Sequence, residues 1–233
     1  MSIVVGIVNK NIAVVGSDTL IYSGYNIEEG RYAKPLHPYP KIFHHEKTGL
    51  MGGVTGMMDF NGIGIIENIY EILNSLTHYN HLDIIRNKLI QEIHRRMIIE
   101  PSCHNSKTVE LILISKDEDG DNFEIYSHRF DPSNNGDIDI TQKFYTSTKK
   151  IEDDYNFIFL FIGSARETIE YLRNEKPTKG VGMDYYLKIC EGAVNYGIEN
   201  CGSHPGADPN VFSPACGGEP QIKFITIDNN YNG

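Results

Sequence analysis

No run in this 233-residue chain is apolar over the ~18 residues that a membrane-spanning helix needs. The opening apolar stretch, Ile3 to Val8, has no basic flank and is too short for a signal peptide, so a cytoplasmic location is expected. Basic residues are in deficit. With 21 Lys and Arg against 31 Asp and Glu, the formal net charge is -10, and no clustered cation is present to displace counterions. Neither a nucleic acid nor an acidic membrane surface is expected as a partner. The four cysteines, Cys103, Cys190, Cys201 and Cys216, form no CxxC pair and read as reduced thiols. Cys201, His204 and Cys216 lack a fourth zinc ligand at sensible spacing. The acidic turn Asp117–Asp121 lacks the spacing and closing Glu of a calcium loop. Neither a metal nor a cofactor is therefore expected. No strand is followed by a phosphate loop or dinucleotide fingerprint, since Gly52-Gly53-Val54-Thr55-Gly56 lacks the lysine of the one and the spacing of the other.

No repeat, low-complexity tract or linker divides residues 1–233, so a single domain is expected. Ile3–Val8 and Ile12–Val15, separated by Asn9-Lys10-Asn11, predict a hairpin that Gly16-Ser17-Asp18 ends. Residues 20–40 carry Gly24, Gly30, Pro35, Pro38 and Pro40 and read as an irregular excursion. Strands follow at Lys41–Phe43 and Leu50–Val54. Helical periodicity spans Met58–Leu76 and Leu82–Ile99. Strands at Val109–Ser115, Phe123–Phe130 and Phe157–Ile162 lead to helices at Arg166–Arg173 and Asp184–Ile198. A Gly/Pro-rich loop, 201–220, precedes a last strand at Ile222–Ile227. Segregated blocks of strands and helices predict an α+β fold, a four-layer αββα sandwich, rather than a doubly wound parallel sheet.

The chemistry gathers at strand ends. Removal of Met1 would leave Ser2 with both a hydroxyl and an α-amine, whose ordinary pKa of ~7.7–8.0 suits it to take the hydroxyl's proton. Asp18 closes the hairpin near that start, and Lys41 begins the next strand in a Pro-Lys-Ile-Phe unit. An Asp–Lys pair there would keep Lys41 charged and lower the amine's pKa. Taken singly, each of these two residues also fits a surface ion pair. The segment Gly52–Gly56 offers backbone N–H groups just before the predicted helix, where an oxyanion can be held. His44-His45 reads as packing and surface, and the 201–220 loop as a surface or subunit-contact insertion, with substrate gating as the alternative.

In these elements the chain resembles the proteasome β-subunit (HslV-like) family of N-terminal-nucleophile hydrolases. The matching segments are Ser2-Ile3-Val4-Val5-Gly6, Gly16-Ser17-Asp18-Thr19, Lys41-Ile42-Phe43, Thr55-Gly56-Met57-Met58-Asp59 and Gly163-Ser164-Ala165. With Ser2 on the family's nucleophile, Asp18 matches without a gap, and Lys41 matches after an insertion of about seven residues. The resemblance implies Ser2 as nucleophile and proton shuttle, Lys41 tuning its amine, and Asp18 holding Lys41. It places the oxyanion donor at Thr55 or Gly56, and Ser164 near the amino terminus. It sets Asn200 and Ser203 on the family's Asp–Ser pair, Asn200 without the carboxylate's charge. Peptide or unfolded protein is the implied substrate, within a homo-oligomeric ring served by an ATPase or another ring partner. Two other readings accompany it: a catalytically silent ring or scaffold subunit, and a narrow-specificity amidase on the same fold.

Overall fold

Short β-branched segments closed by Asn and Gly turns open the chain as antiparallel strands. The structure, a computed structural model, describes residues 2–9, 11–22, 25–26, 31–32, 35–36, 38–56, 59–60, 62–99, 108–132, 137–146, 158–163, 166–175, 182–200 and 216–226. Strands β1 (Ile3–Val8) and β2 (Ile12–Ser17) form the expected hairpin. Its turn is held by Asn9, whose Oδ1 accepts the N–H groups of Asn11 and Ile12, both at 2.8 Å. In the 20–40 excursion the described residues make four two-residue strands, β3 (Ile21–Tyr22), β4 (Tyr25–Asn26), β5 (Arg31–Tyr32) and β6 (Pro35–Leu36). Next come β7 (Ile42–His45), β8 (Leu50–Gly56), β9 (Asp59–Phe60) and β10 (Ile63–Gly64).

Helix α1 (Ile65–Ser75) starts seven residues later than the periodicity from Met58 predicts. Gly62, with φ +76°, lies in the turn ahead of the helix, so Phe60 and Ile63 pair as strand residues instead of continuing the helical spacing. Helix α2 (Leu82–Ile99) has its expected bounds. Strands β11 (Val109–Lys116), β12 (Phe123–Pro132), β13 (Ile138–Thr146) and β14 (Ile158–Gly163) follow, then α3 (Arg166–Asn174), α4 (Met183–Asn200) and β15 (Gln221–Thr226). Strand β13 is absent from the sequence reading. Its residues 138–146, with Thr, Gln and Lys at the centre, carry too little apolar alternation to announce a strand at the sheet's edge.

Among the described residues the architecture is mixed, with two larger antiparallel sheets and four helices. One sheet has the order β14-β1-β2-β15 and the other β13-β12-β11-β8-β7. Three apolar clusters hold them. Ile65, Ile69 and Leu73 of α1 and Leu89, Ile93 and Met97 of α2 pack on Leu50, Val54, Leu111 and Leu113 of the five-stranded sheet. Ile189, Ala193 and Val194 of α4 and Leu172 of α3 pack on Ile3, Val5, Ile7 and Val14 of the four-stranded sheet. Val4, Val15, Met51, Ile112, Ile114 and Ile125, drawn from both sheets, form the third cluster. Full burial of one such aliphatic side chain contributes ~1.5–3 kcal/mol. This core fixes the strand ends on which the candidate site lies. No helix of the described residues is long and apolar enough to cross a membrane.

Candidate active site

Ser2 stands just before β1 and is buried, 6% exposed. The hairpin register returns residue 18 opposite residue 3. Asp18 N–H donates to the Ile3 carbonyl at 3.3 Å, and Ile3 N–H donates to Asp18 Oδ1 at 2.8 Å. Lys41, immediately before β7, sends its Nζ to the same Oδ1 at 2.8 Å and to the Leu20 carbonyl at 2.5 Å. Both side chains of this ion pair are 0% exposed. The Asp18 carboxylate thus links the Lys41 ammonium to the backbone at Ile3, the residue that follows Ser2.

Burial draws the Lys41 ammonium below the ordinary lysine pKa, and the charge and hydrogen bond of Asp18 oppose it. The Cys216 sulfur, when ionised, pulls in the same direction as Asp18. A buried pair of this kind gives up much of its attraction to desolvation.

At the described end of the 201–220 loop, Cys216 and Gly217 are buried while Gly218 and Glu219 are exposed. Cys216 is 0% exposed, and Gly217 N–H donates to Asp18 Oδ2 at 3.2 Å. The Gly217 carbonyl accepts the N–H groups of Thr19 at 3.1 Å and Leu20 at 2.9 Å. The Thr19 hydroxyl donates to the Glu219 carbonyl at 3.1 Å. Asp18 thereby receives donors from residues 3, 41 and 217. Residues 216 and 217 are missed by sequence reasoning, because no spacing rule links a glycine to an aspartate 199 positions away.

Thr55 and Gly56 end β8, Thr55 buried at 2% and Gly56 exposed. A Cβ at Gly56 would stand 1.9 Å from the Thr108 carbonyl oxygen, and its φ of +94° also favours glycine. Helix α1 begins only at Ile65, so N–H groups at 55 and 56 belong to a strand end rather than to the helix N-terminus the sequence suggests. Any oxyanion there would be held by peptide N–H groups without an adjacent helix dipole. The start of β1 meets β14 at Gly163, the partner of Ile3, with φ +83°. A Cβ at Gly163 would lie 2.0 Å from the Ser2 carbonyl oxygen and 3.2 Å from Thr55 Cγ2. Position 163 therefore brings the Ser2 and Thr55 strand ends together only as glycine.

Ser164 and Ser203 lie outside the described residues. Asn200 is the exposed last residue of α4, and its Nδ2 donates to the Tyr196 carbonyl at 2.8 Å, within its own helix. No described hydrogen bond joins it to the Ser2 cluster. Cys201 and His204 also lie outside the described residues, and no group of metal-ligating side chains occurs among those described. His45 is buried, with Nδ1 2.9 Å from Thr48 Oγ1 and Nε2 3.2 Å from Asn74 Oδ1, a packing arrangement. The acidic turn is closed by Asp117, whose carboxylate accepts from Asp121 N–H at 2.9 Å and Asn122 Nδ2 at 2.8 Å.

No protein-family model and no curated protein matches this sequence. Among solved structures, the chain is similar in fold to an Anbu mutant from Hyphomicrobium sp. strain MC1, with a TM-score of 0.51 and 10% sequence identity. The match covers 100% of this chain and 89% of that one. At that identity the likeness shows fold alone.

Proposed function

We propose that this chain is an N-terminal-nucleophile hydrolase that cleaves peptide or other amide bonds by acyl transfer through Ser2 after removal of Met1. The observation that carries the reading is the wholly buried Asp18–Lys41 pair fastened to the Ile3 N–H, one residue from Ser2. Removing Met1 creates an α-amine beside that pair. The Lys41 charge lowers the amine's pKa, so the free base can take the Ser2 Oγ proton. Oγ then attacks the amide carbonyl, and N–H at Thr55 or Gly56 receives the oxyanion. The amine returns the proton to the leaving nitrogen, and water, deprotonated by the same amine, releases the acyl group. Lys41 and Asp18 stay outside the bond changes and set the field.

The three apolar clusters support reading residues 1–233 as one four-layer αββα domain. The family resemblance supports a ring of identical subunits with peptide or unfolded-protein substrate. The test is turnover of short fluorogenic peptides by protein whose intact mass shows Met1 lost. Ser2→Ala is expected to lower turnover by roughly 10³-fold or more, and equal turnover by that variant would sink the proposal. A β-lactone should leave its acyl group on Ser2, read by peptide mass.

One observation favours a second reading, a catalytically silent ring subunit: the Asn200 amide serves its own helix and lacks the carboxylate of the family's aspartate. Retention of Met1 in mature protein, with no adduct, would decide for it.

A further inference from the structure

Strand β11 is apolar from Leu111 to Ile114 but carries a glutamate near its start. Val109, Leu111 and Leu113 belong to the cluster under α1 and α2, whereas Ile112 and Ile114 belong to the cluster between the sheets. Alternation puts residue 110 in the second row, at the mouth of the gap, and the residue there is a glutamate. A carboxylate in that row must find donors or lose its charge. Glu110 finds three. Its Oε2 accepts the Gly163 N–H at 2.9 Å and the Thr55 hydroxyl at 3.2 Å, and its Oε1 accepts Arg129 Nη1 at 3.3 Å. Arg129 is steadied in turn by Asp131, with Nε 2.8 Å from Oδ2, and the Thr108 hydroxyl donates to Asp131 Oδ1 at 3.0 Å.

The positions of these donors matter more than their number. Thr55 faces Glu110 across β8–β11, and Arg129 faces it across β11–β12, all in the five-stranded sheet. Gly163 belongs to the other sheet and pairs with Ile3. One carboxylate therefore joins the two sheets at the end where Ser2 sits. It does so through the glycine that touches the Ser2 carbonyl and through the threonine whose strand end carries the candidate oxyanion donors. Hydrogen bonds to an ionised acceptor are the strong ones, and Arg129 offsets the negative charge so close to a developing oxyanion.

We propose that Glu110 is a positioning residue of the Ser2 site: by holding the Gly163 N–H and the Thr55 hydroxyl, its carboxylate sets the distance between the nucleophile's strand end and the Thr55–Gly56 N–H groups. This inference rests on the reading of Ser2 as nucleophile. Loss of the clamp loosens the oxyanion donors relative to Ser2 Oγ without removing any group that binds substrate, so the bond-making step should suffer and affinity should not.

Two measurements on wild type, Glu110→Ala, Glu110→Gln and Thr55→Val test it together. The first is backbone amide exchange by NMR. Glu110→Ala should accelerate exchange at Gly163 by ~10-fold or more while Val5 and Ile112 keep their protection. The second is β-lactone acylation of Ser2 followed by intact mass. Its maximal rate should fall ~10- to 100-fold in Glu110→Ala, with the half-saturating concentration within about 2-fold. Glu110→Gln, whose amide oxygen still accepts from both donors, should recover most of both readouts. Thr55→Val, which removes one of the two holds, should fall between. If Glu110→Ala does not fold, the ordering of the other two against wild type carries the test.

Unchanged Gly163 exchange in Glu110→Ala overturns the clamp, whatever Ser2 does. Faster exchange with an unchanged acylation rate overturns the positioning role. Normal exchange behaviour with no acylation of Ser2 in Met1-free wild type refutes the nucleophile reading itself and leaves Glu110 a structural clamp only, which also overturns the proposal.

Discussion

Asp18 with Lys41, and His128 on β12, are buried polar positions that the fold treats in opposite ways. Asp18 and Lys41 are both 0% exposed, and their polar atoms are met by the Ile3 and Gly217 N–H groups and by the Leu20 carbonyl. His128, 3% exposed, stacks on Tyr126 with ring centroids 6.3 Å apart, while the Arg86 guanidinium of α2 lies 3.6 Å above the Tyr126 ring. Neither His128 ring nitrogen has a hydrogen-bond partner among the described residues. Burial, aided by the Arg86 charge, lowers its pKa from 6.5 to about 4, so this imidazole is neutral at physiological pH. Where the topology converges strand ends from three parts of the chain, the buried polar atoms find partners. Where a helix merely covers a sheet face, the side chain sheds its proton.

The comparison breaks most severely at Lys41. Lys41→Met leaves the Asp18 carboxylate buried without its counter-charge and is expected to cost ~3–5 kcal/mol in urea unfolding. Adding Asp18→Asn should return part of that loss, since an amide tolerates the site without a cation; an additive double variant would contradict the pairing. His128 gives the intermediate effect. Its folded pKa of about 4 lies below the ordinary 6.5, so as pH falls through that window the unfolded chain takes up a proton that the folded chain refuses. Stability contributed at neutral pH is therefore lost on acidification, roughly 2 kcal/mol between pH 8 and pH 5. His128→Phe, which keeps a ring against Tyr126, should flatten that slope, and an unchanged slope would assign the acid sensitivity to other groups. The smallest effect is expected at the surface. Glu92 accepts from Arg95 Nη2 at 2.6 Å and Arg96 Nε at 3.2 Å on α2, which holds its carboxyl at about 2. Solvent and salt screen such pairs, so Glu92→Gln should leave the urea midpoint within experimental scatter.

The β1–β2 hairpin and the bounds of α2 are legible in the sequence for one reason: each depends on local periodicity or on a short, definite turn. Asp18 meets Ile3 because the Asn9 turn fixes the hairpin register. Lys41 is legible as a strand-leading lysine, although its distance from Asp18 depends on the 20–40 excursion, where spacing conveys nothing. The rest is settled at longer range. Glu110 is visible as the charged residue in a run from Val109 to Ser115, but Leu111–Ile114 is apolar on both faces and conceals which way it points. The start of α1 is displaced by the turn at Gly62 inside an otherwise helical pattern, and β13 lies at a sheet edge, where binary patterning is weakest. Cys216 and Gly217 join the site through a contact that only the completed β2–β15 pairing creates.

That contact has a temporal meaning. A chain made from its N-terminus has Ser2, Asp18 and Lys41 in hand early, yet Asp18 Oδ2 lacks its Gly217 partner until nearly two hundred further residues have been added. The N–H groups of Thr19 and Leu20 wait for the same segment. Assembly of the cluster is thus coupled to the arrival of β15, one of the slow, high-contact-order steps of folding. A nascent or truncated chain would carry Ser2, Asp18 and Lys41 without these hydrogen bonds, which makes residues 216–226 a built-in delay between synthesis and completion of the cluster.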